Sequence, residues 1–413
     1  MSAFSIPLSG LEATSQSLNV IANNLANLNT DGYKDETLNF GDIFNQMQGT
    51  SGNGDPIQTG SGVQSSGTSS NFSNGSVTST GVASNMALQG NGFFVVQNGT
   101  ATDYTRAGDF TVNSLGQLTT SNGELVMGYP ATNGVVSTSE TIAPISVNQS
   151  STIPAVASST FQMSTNLDSS AGVGATFNTP ITVYDSLGTS QTLSVQYTNT
   201  AANKWSYTIT LPASATGGTG NPTTVASGNL TFDTSGNLTS PTGTVPGIKI
   251  TGLADGAADM NLTWNLNNTS GSPSITQQDS TSATSTTTQN GYGVGTLSSY
   301  SVLPDGTVQG QFSNSQTLAL GQVAIASFAN AQGLAQSGQS DYQATYASGS
   351  AVVGQAGAGG NGTITGGAVE GSNVDLSTEF ANMIVAQQGY EANAKALTTL
   401  DQISQATLQM MTA

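Results

Sequence analysis

Apolar positions change their period twice along this 413-residue chain. Near the N-terminus Leu11, Leu18 and Leu25 recur every seven residues, and Ile21 and Leu28 form a second series offset by three. Together they make an a/d stripe, which predicts a helix of about 20 residues, about 30 Å long. Asn29-Thr30-Asp31-Gly32 supplies turn chemistry at its end, with Gly32 as a left-handed cap. The C-terminal segment repeats the design. Leu376, Phe380, Met383, Gln387, Tyr390, Ala394, Leu397, Ser404, Leu408 and Met411 step mostly by fours and threes. Ile384, Leu400 and Ile403 widen that face. This predicts a helix from about Leu376 nearly to the end of the chain, capped by Ser372 or Asp375.

Between the ends the period falls to two. Leu193, Val195 and Tyr197 alternate with polar residues, as do Trp205, Tyr207, Ile209 and Leu211, and Leu262, Trp264 and Leu266. Such alternation predicts strands with one buried face. A turn signal recurs at Asn113–Gly116, Asp185–Gly188, Asp233–Gly236 and Pro304–Gly306, each suited to a hairpin whose Gly takes a positive φ. Gly90-Asn91-Gly92 reads as a tight turn before the strand-like Phe93–Val96. Gly49–Ser70 and Ala347–Gly367 are nearly all small or polar and read as linkers; Ser270–Gln289 reads as a polar return from an inserted domain. The fold class is mainly β with α-helical termini.

Composition then narrows the chemistry. There is no Cys and no His, which removes disulfides, thiolate and imidazole metal sites, cysteine nucleophiles and Ser-His-Asp triads. Five basic residues face 23 acidic ones, for a net charge of −18. The five, Lys34, Arg106, Lys204, Lys249 and Lys395, are scattered, which argues against a nucleic-acid groove and against anionic membranes. Gly354–Gly362 lacks the phosphate-loop pattern. The pairs Asp31/Asp35 and Asp255/Asp259 have neither Ca²⁺-loop spacing nor aromatic sugar platforms and read as solvated turn carboxylates. No catalytic residue, cofactor site or metal site is expected. No Lys or Arg precedes Lys34 and no run approaches the length of a spanning helix, so neither a conventional signal peptide nor membrane insertion is expected. Yet the scarcity of Lys and Cys and the wealth of Thr, Asn and Gly resemble extracellular bacterial surface proteins.

The terminal stripes pose the functional question. An isolated helix of this length is marginal in water. Either both helices pack into one monomer core, or they pair with each other and with neighbouring subunits. The second reading makes Leu11, Leu18, Ile21, Leu25, Leu28, Leu376, Phe380, Met383, Tyr390, Leu397 and Leu408 the subunit interface.

Four motifs carry a resemblance. Ile21–Lys34, reading IANNLANLNTDGYK, resembles the N-terminal signature of the bacterial flagellar rod and hook proteins through Asn23, Asn24, Asn27, Asn29, Thr30, Gly32 and Tyr33. Gly371–Leu376, Met383–Gln387 and Tyr390–Lys395 resemble the C-terminal signature, through Asn373, Val374, Asp375, Gln387 and Asn393. Leu88–Val96, and Tyr104–Phe110 with Gly116–Leu118 and Gly123, are similar to the family's internal β-domain. Gln388-Gly389 departs from the pattern, since many members carry Arg there.

The resemblance implies a discontinuous, nested architecture. Residues 1–70 and 366–413 would form an inner coiled-coil domain with linkers. Residues 71–144 and 290–365 would form a β-rich middle domain, and 145–289 an inserted β-rich outer domain. The insertion resembles the hook subunit rather than the shorter rod subunits. It implies a homo-polymer, a curved helical tube acting as a universal joint between motor and filament. The implied partners are the flagellar rod, the hook cap and the hook–filament junction proteins. The implied location is the extracellular flagellar hook, reached through the flagellar type III apparatus. A distal rod protein, a secreted β-rich adhesin and an extracellular glycosidase are the competing readings.

Overall fold

The computed structural model describes residues 4–43, 46–50, 56–148, 151–268 and 270–412. The chain divides into two compact units. The first comprises Met1–Asn148, Ser299–Gly310 and Thr317–Ala413; the second comprises Gln149–Ser298 and Gln311–Gln316.

In the first unit, helix α1 spans Ser5–Ala26 and helix α2 spans Leu376–Thr412. Asp375 caps α2: its Oδ1 accepts the Thr378 N–H at 2.9 Å. The backbone N–H groups of Thr378 and Ser377 hold its carboxyl below the ordinary aspartate pKa. α1 ends earlier than its stripe predicts, because side chains there replace the next helical turn. The Asn27 amide donates to the Asn23 carbonyl at 2.9 Å, and the Thr30 hydroxyl donates to Asn27 Oδ1 at 3.1 Å. Leu28 therefore lies off the helix. Gly32 is left-handed as expected, with φ +69°, but it does not cap α1. Its N–H donates to the Glu370 carbonyl at 2.7 Å, and a Cβ there would lie 2.3 Å from the Ala107 nitrogen.

Both expected linkers contain paired strands where they are described. Val63–Ser70 pairs antiparallel with Glu36–Asp42, and Gln46–Thr50 pairs with Pro56–Thr59. Residues 51–55 of that stretch lie outside the described residues. Val352–Gln355 pairs with Thr317–Ser327, and Thr363–Gly366 pairs with Met86–Gln89. Backbone ladders hold these polar segments, so they need no apolar alternation of their own.

The β-core of this unit is built around Phe93–Asn98, Leu125–Thr132 and Thr317–Ser327, which pair with one another. Phe94, Val96, Val126, Val323 and Ile325 fill one face; Phe93, Val95, Met127, Tyr129 and Ala324 fill the other. Burial on both faces explains the unbroken apolar run Phe93–Val96.

The second unit carries two five-stranded sheets. One is built on Thr160–Asp168, Thr244–Ile250 and Met260–Asn265; the other on Thr176–Tyr184, Ser190–Ala201, Lys204–Leu211 and Thr223–Phe232. Inward residues of both form one core containing Trp205, Trp264, Tyr197 and Phe161. Phe161 stacks on Trp264 at 5.8 Å and Tyr207 meets the same ring edge-on at 5.2 Å. The period-two strands all bury the expected face.

The four turn signals hold too: Gly116, Gly188, Gly236 and Gly306 have φ between +77° and +87°. Asn113, Asp185 and Asp233 each turn one side-chain oxygen onto the N–H groups two and four residues later. Asn268 does the same to Ser270 and Ser272, a fourth copy that the sequence reading missed.

Candidate functional site: the junction of the chain termini

The family-type motifs from the two ends of the chain meet in the first unit. Asn24, on the last turns of α1, is 1% exposed. Its Nδ2 donates to the Glu36 carbonyl at 2.8 Å and its Oδ1 accepts the Glu36 N–H at 3.0 Å. One side chain thus pairs with the strand as a neighbouring strand would. The Tyr33 hydroxyl donates to the same Oδ1 at 3.0 Å, and Asn23 Nδ2 donates to that hydroxyl at 3.1 Å. Burial, helped by Glu36, Asp35 and Glu379, pushes the Tyr33 hydroxyl up to about 12. From the other terminus, Asn373 Oδ1 accepts the Asp35 N–H at 2.8 Å, while its Nδ2 donates to the Asn71 carbonyl at 2.8 Å. Val374 is buried beside it.

A buried ion cluster lies at the same junction. Lys34 Nζ donates to Glu370 Oε1 at 2.6 Å and to the Ser73 carbonyl at 2.8 Å. The Gly75 N–H also donates to Glu370 Oε1, at 2.9 Å. Arg106 Nη1 lies 3.4 Å from Glu370 Oε2, its Nη2 donates to the Gly90 carbonyl at 2.7 Å, and its guanidinium sits 5.3 Å from the Phe93 ring centre. Burial lowers the pKa of both Lys34 and Arg106, and the Glu370 charge opposes it. Two of the five cations read as scattered thus converge on one carboxylate. Lys34 closes the N-terminal motif and Glu370 immediately precedes the C-terminal one. No spacing rule connects positions so far apart, and Arg106 comes from the β-core.

The helices pack antiparallel. A Cβ at Gly10 would lie 2.9 Å from Asn393, and a Cβ at Gly389 would lie 3.3 Å from Thr14. Small residues there let the backbones approach, which gives Gly389 a structural use. Farther along, Asn24 faces Glu379, whose carboxyl burial pushes up.

The expected interface residues divide. Ile21 is buried; Leu11, Leu18, Leu25, Leu28, Met383 and Leu397 are half-buried. Leu376, Phe380, Tyr390 and Leu408 are exposed, as are Gln387 and Asn29 of the motifs. The fully buried positions of α2 are Glu379 and Ala386, which lie outside the sequence stripe. Burial against α1 selects a neighbouring face, because one partner helix covers only part of the apolar arc.

Two carboxylates read as solvated are partly enclosed. Asp35 and Asp31 are half-buried, and burial raises both. Asp255 is a turn carboxylate as expected, lowered chiefly by the Ala257 N–H. A further acidic group escaped the sequence reading. Asp103, Glu124 and Asp341 are all buried in the β-core. Burial and the neighbouring Glu124 push Asp341 up to about 7.

Four family models match the chain, all flagellar. They are the flagellar basal body rod protein at residues 6–34, the flagellar hook protein FlgE/F/G D1 domain at 87–164, the flagellar basal body protein FlaE D2 domain at 147–292, and the flagellar basal body rod FlgEFG protein C-terminal at 365–410. The two terminal matches cover the joined motifs, so fold and junction together define the class: a flagellar rod and hook axial protein.

Among relatives, the flagellar hook protein FlgE of Escherichia coli is 36% identical, with 97% of this chain and 98% of that protein covered. The Salmonella typhimurium FlgE is 37% identical over the same shares. The FlgE of Borreliella burgdorferi is 32% identical, covering 96% and 97%. The crystal structure of Helicobacter pylori flagellar hook protein FlgE2 shares the fold, with a TM-score of 0.51 at 14% identity over 70% of this chain and 98% of that one. The chain belongs to the flagellar hook protein FlgE family. It is a structural subunit of the hook, and the rod and adhesin alternatives are not favoured. Among the described residues no helix is long and apolar enough to cross a membrane.

Proposed function

We propose that α1 and α2 form the inner part of a helical tube and that the apolar residues α1 leaves uncovered on α2 are buried by neighbouring subunits. The observation that carries this is the exposed set Leu376, Phe380, Ile384, Val385 and Tyr390 on a helix already paired on its other side. Full burial of each large side chain contributes roughly 1.5–3 kcal/mol, so several together stabilise a contact between copies. A heterologous contact that does not close on itself generates an open helical polymer. The curved tube acts as a universal joint carrying motor torque to the filament, with the rod, the hook cap and the hook–filament junction proteins at its ends. Residues 1–70 with 366–413, 71–144 with 290–365, and 145–289 act as its inner, middle and outer layers. The subunit reaches the flagellum through the type III apparatus, in keeping with a chain that has no Cys to cross-link in transit.

Phe380→Asp and Ile384→Asp test the reading. Each is expected to abolish tube formation in sedimentation and micrographs while far-ultraviolet circular dichroism stays that of the parent. Normal tubes from both variants would remove the exposed α2 face from the interface.

A further inference from the structure

The antiparallel register of the two helices has a geometric remainder. Gly10 opposes Asn393, Thr14 opposes Gly389 and Asn24 opposes Glu379, a constant register that sets Ser5, the first residue of α1, opposite Thr398. α2 continues to Thr412. About 14 residues, or about 21 Å of helix at 1.5 Å per residue, extend beyond α1 as a prong. Ile403 is 57% exposed there and Met410 75%. These two are seven residues apart and share one face of the helix.

At the other end of the helix pair lies an apolar groove of about 400 Å³. Val20 and Ile21 of α1, Leu38 and Phe40 of the adjoining hairpin, and Val385 and Ala386 of α2 line it, with Glu36 and Glu379 beside them. Within one chain the prong cannot reach this groove. Val385 and Ile403 lie on one continuous helix, 18 residues and so about 27 Å apart.

We infer that the prong of one copy docks in the groove of a second copy, a head-to-tail contact of helix into groove. Charge supports the same occupant. Lys34 and Arg106 are buried on Glu370, which leaves Lys395 as the exposed cation among the described residues of this unit. It sits on α2 just before the prong, and the groove presents the half-buried Glu36. Groove and prong occupy different parts of the surface, so the contact is heterologous and propagates. The inference rests on the polymerising reading above and names the surfaces that meet.

A chain without Cys allows a direct test by engineered disulfides. A disulfide requires Cα atoms within about 7 Å, so cysteines at 385 and 403 cannot bridge within one straight helix. Val385→Cys and Ile403→Cys proteins are mixed, assembled and oxidised. The expected product is a mixed dimer, with each variant alone remaining monomeric on a non-reducing gel. The double variant is expected to give a ladder of dimers, trimers and larger species. Leu38→Cys with Met410→Cys is a second pair should the first disturb assembly. Tubes from the parent protein with no mixed bridge from either pair would overturn the docking and leave the polymer reading standing. Homodimers from each single variant would overturn it in favour of a symmetric contact. Absence of tubes from the parent would overturn the polymer reading itself.

Discussion

At the scale of single residues, the motif side chains act as substitutes for backbone. Asn24 satisfies both backbone groups of Glu36, and Asn373 ties Asp35 to Asn71. Carboxamides suit this task because each presents one donor and one acceptor in a plane. Glu370 has the largest stake. Its removal leaves two buried cations facing each other without a counter-charge. Glu370→Gln keeps the shape and should cost about 3–5 kcal/mol of stability, the range for breaking a buried ion pair by removing one partner. Denaturant unfolding of the full chain checks this; a midpoint equal to the parent's would show that the cluster is stabilised by other contacts. Asp341 makes a pH prediction. Its folded pKa of about 7 lies above its ordinary 3.8, so the folded state holds a proton that the unfolded chain has released. Its contribution is full below about pH 4 and is lost as pH rises through about 7. Glu124 and Asp103 face it with like charge, and the Thr105 hydroxyl is the favourable neighbour. Asp341→Asn should flatten the fall in thermal midpoint between about pH 4 and 7; an unchanged slope would assign the fall elsewhere.

At the scale of elements, the two helices and the alternating strands were legible in the sequence, because one face of each meets an apolar surface and the period records it. The polar hairpin Glu36–Asp42 with Val63–Ser70 was not legible. Its stability comes from paired backbone and from a bond between the Val63 N–H and Ser9 Oγ at 3.2 Å, neither of which leaves an apolar period. The buried face of α2 was misplaced for a related reason: the apolar arc serves more than one neighbour, and periodicity does not say which covers which part. At the junction, Asn24, Asn373 and Arg106 were visible as motif members, whereas Glu370 carried no pattern and nothing in the sequence joined Arg106 to it. Gly389 shows how one position sets an element pair. Leu there would drive into Thr14 and should destabilise the helix pair by about 1–3 kcal/mol, the usual cost of overpacking. Gly389→Ala should be near neutral, since its Cβ fits tightly and Ala favours helix by about 1 kcal/mol. Circular dichroism melts of both variants separate the two; equal melts would show that the helices do not need this close approach.

At the scale of the whole molecule, charge is scarce and located. Only 7% of residues are charged, and the ion pairs found among the described residues are both inside the Glu370 cluster. Outward surfaces rich in Ser, Thr and Asn would meet neighbours in a tube through water and weak hydrogen bonds, which exchange at low cost on bending. Bending stiffness of assembled tubes should therefore change little between low and high salt. A collapse of stiffness on adding salt would place the joint in charge pairs.

The Glu370 cluster also sets the order in which the molecule is completed. Its bond to Lys34 joins residues 336 positions apart. Whatever sequence of folding precedes it, that knot cannot be tied while residue 370 is still inside a ribosome or a narrow conduit. A subunit threaded N-terminus first would emerge with its early segments waiting. It would finish only when its last tenth arrived, so that release from the passage and readiness to join the growing structure become one event.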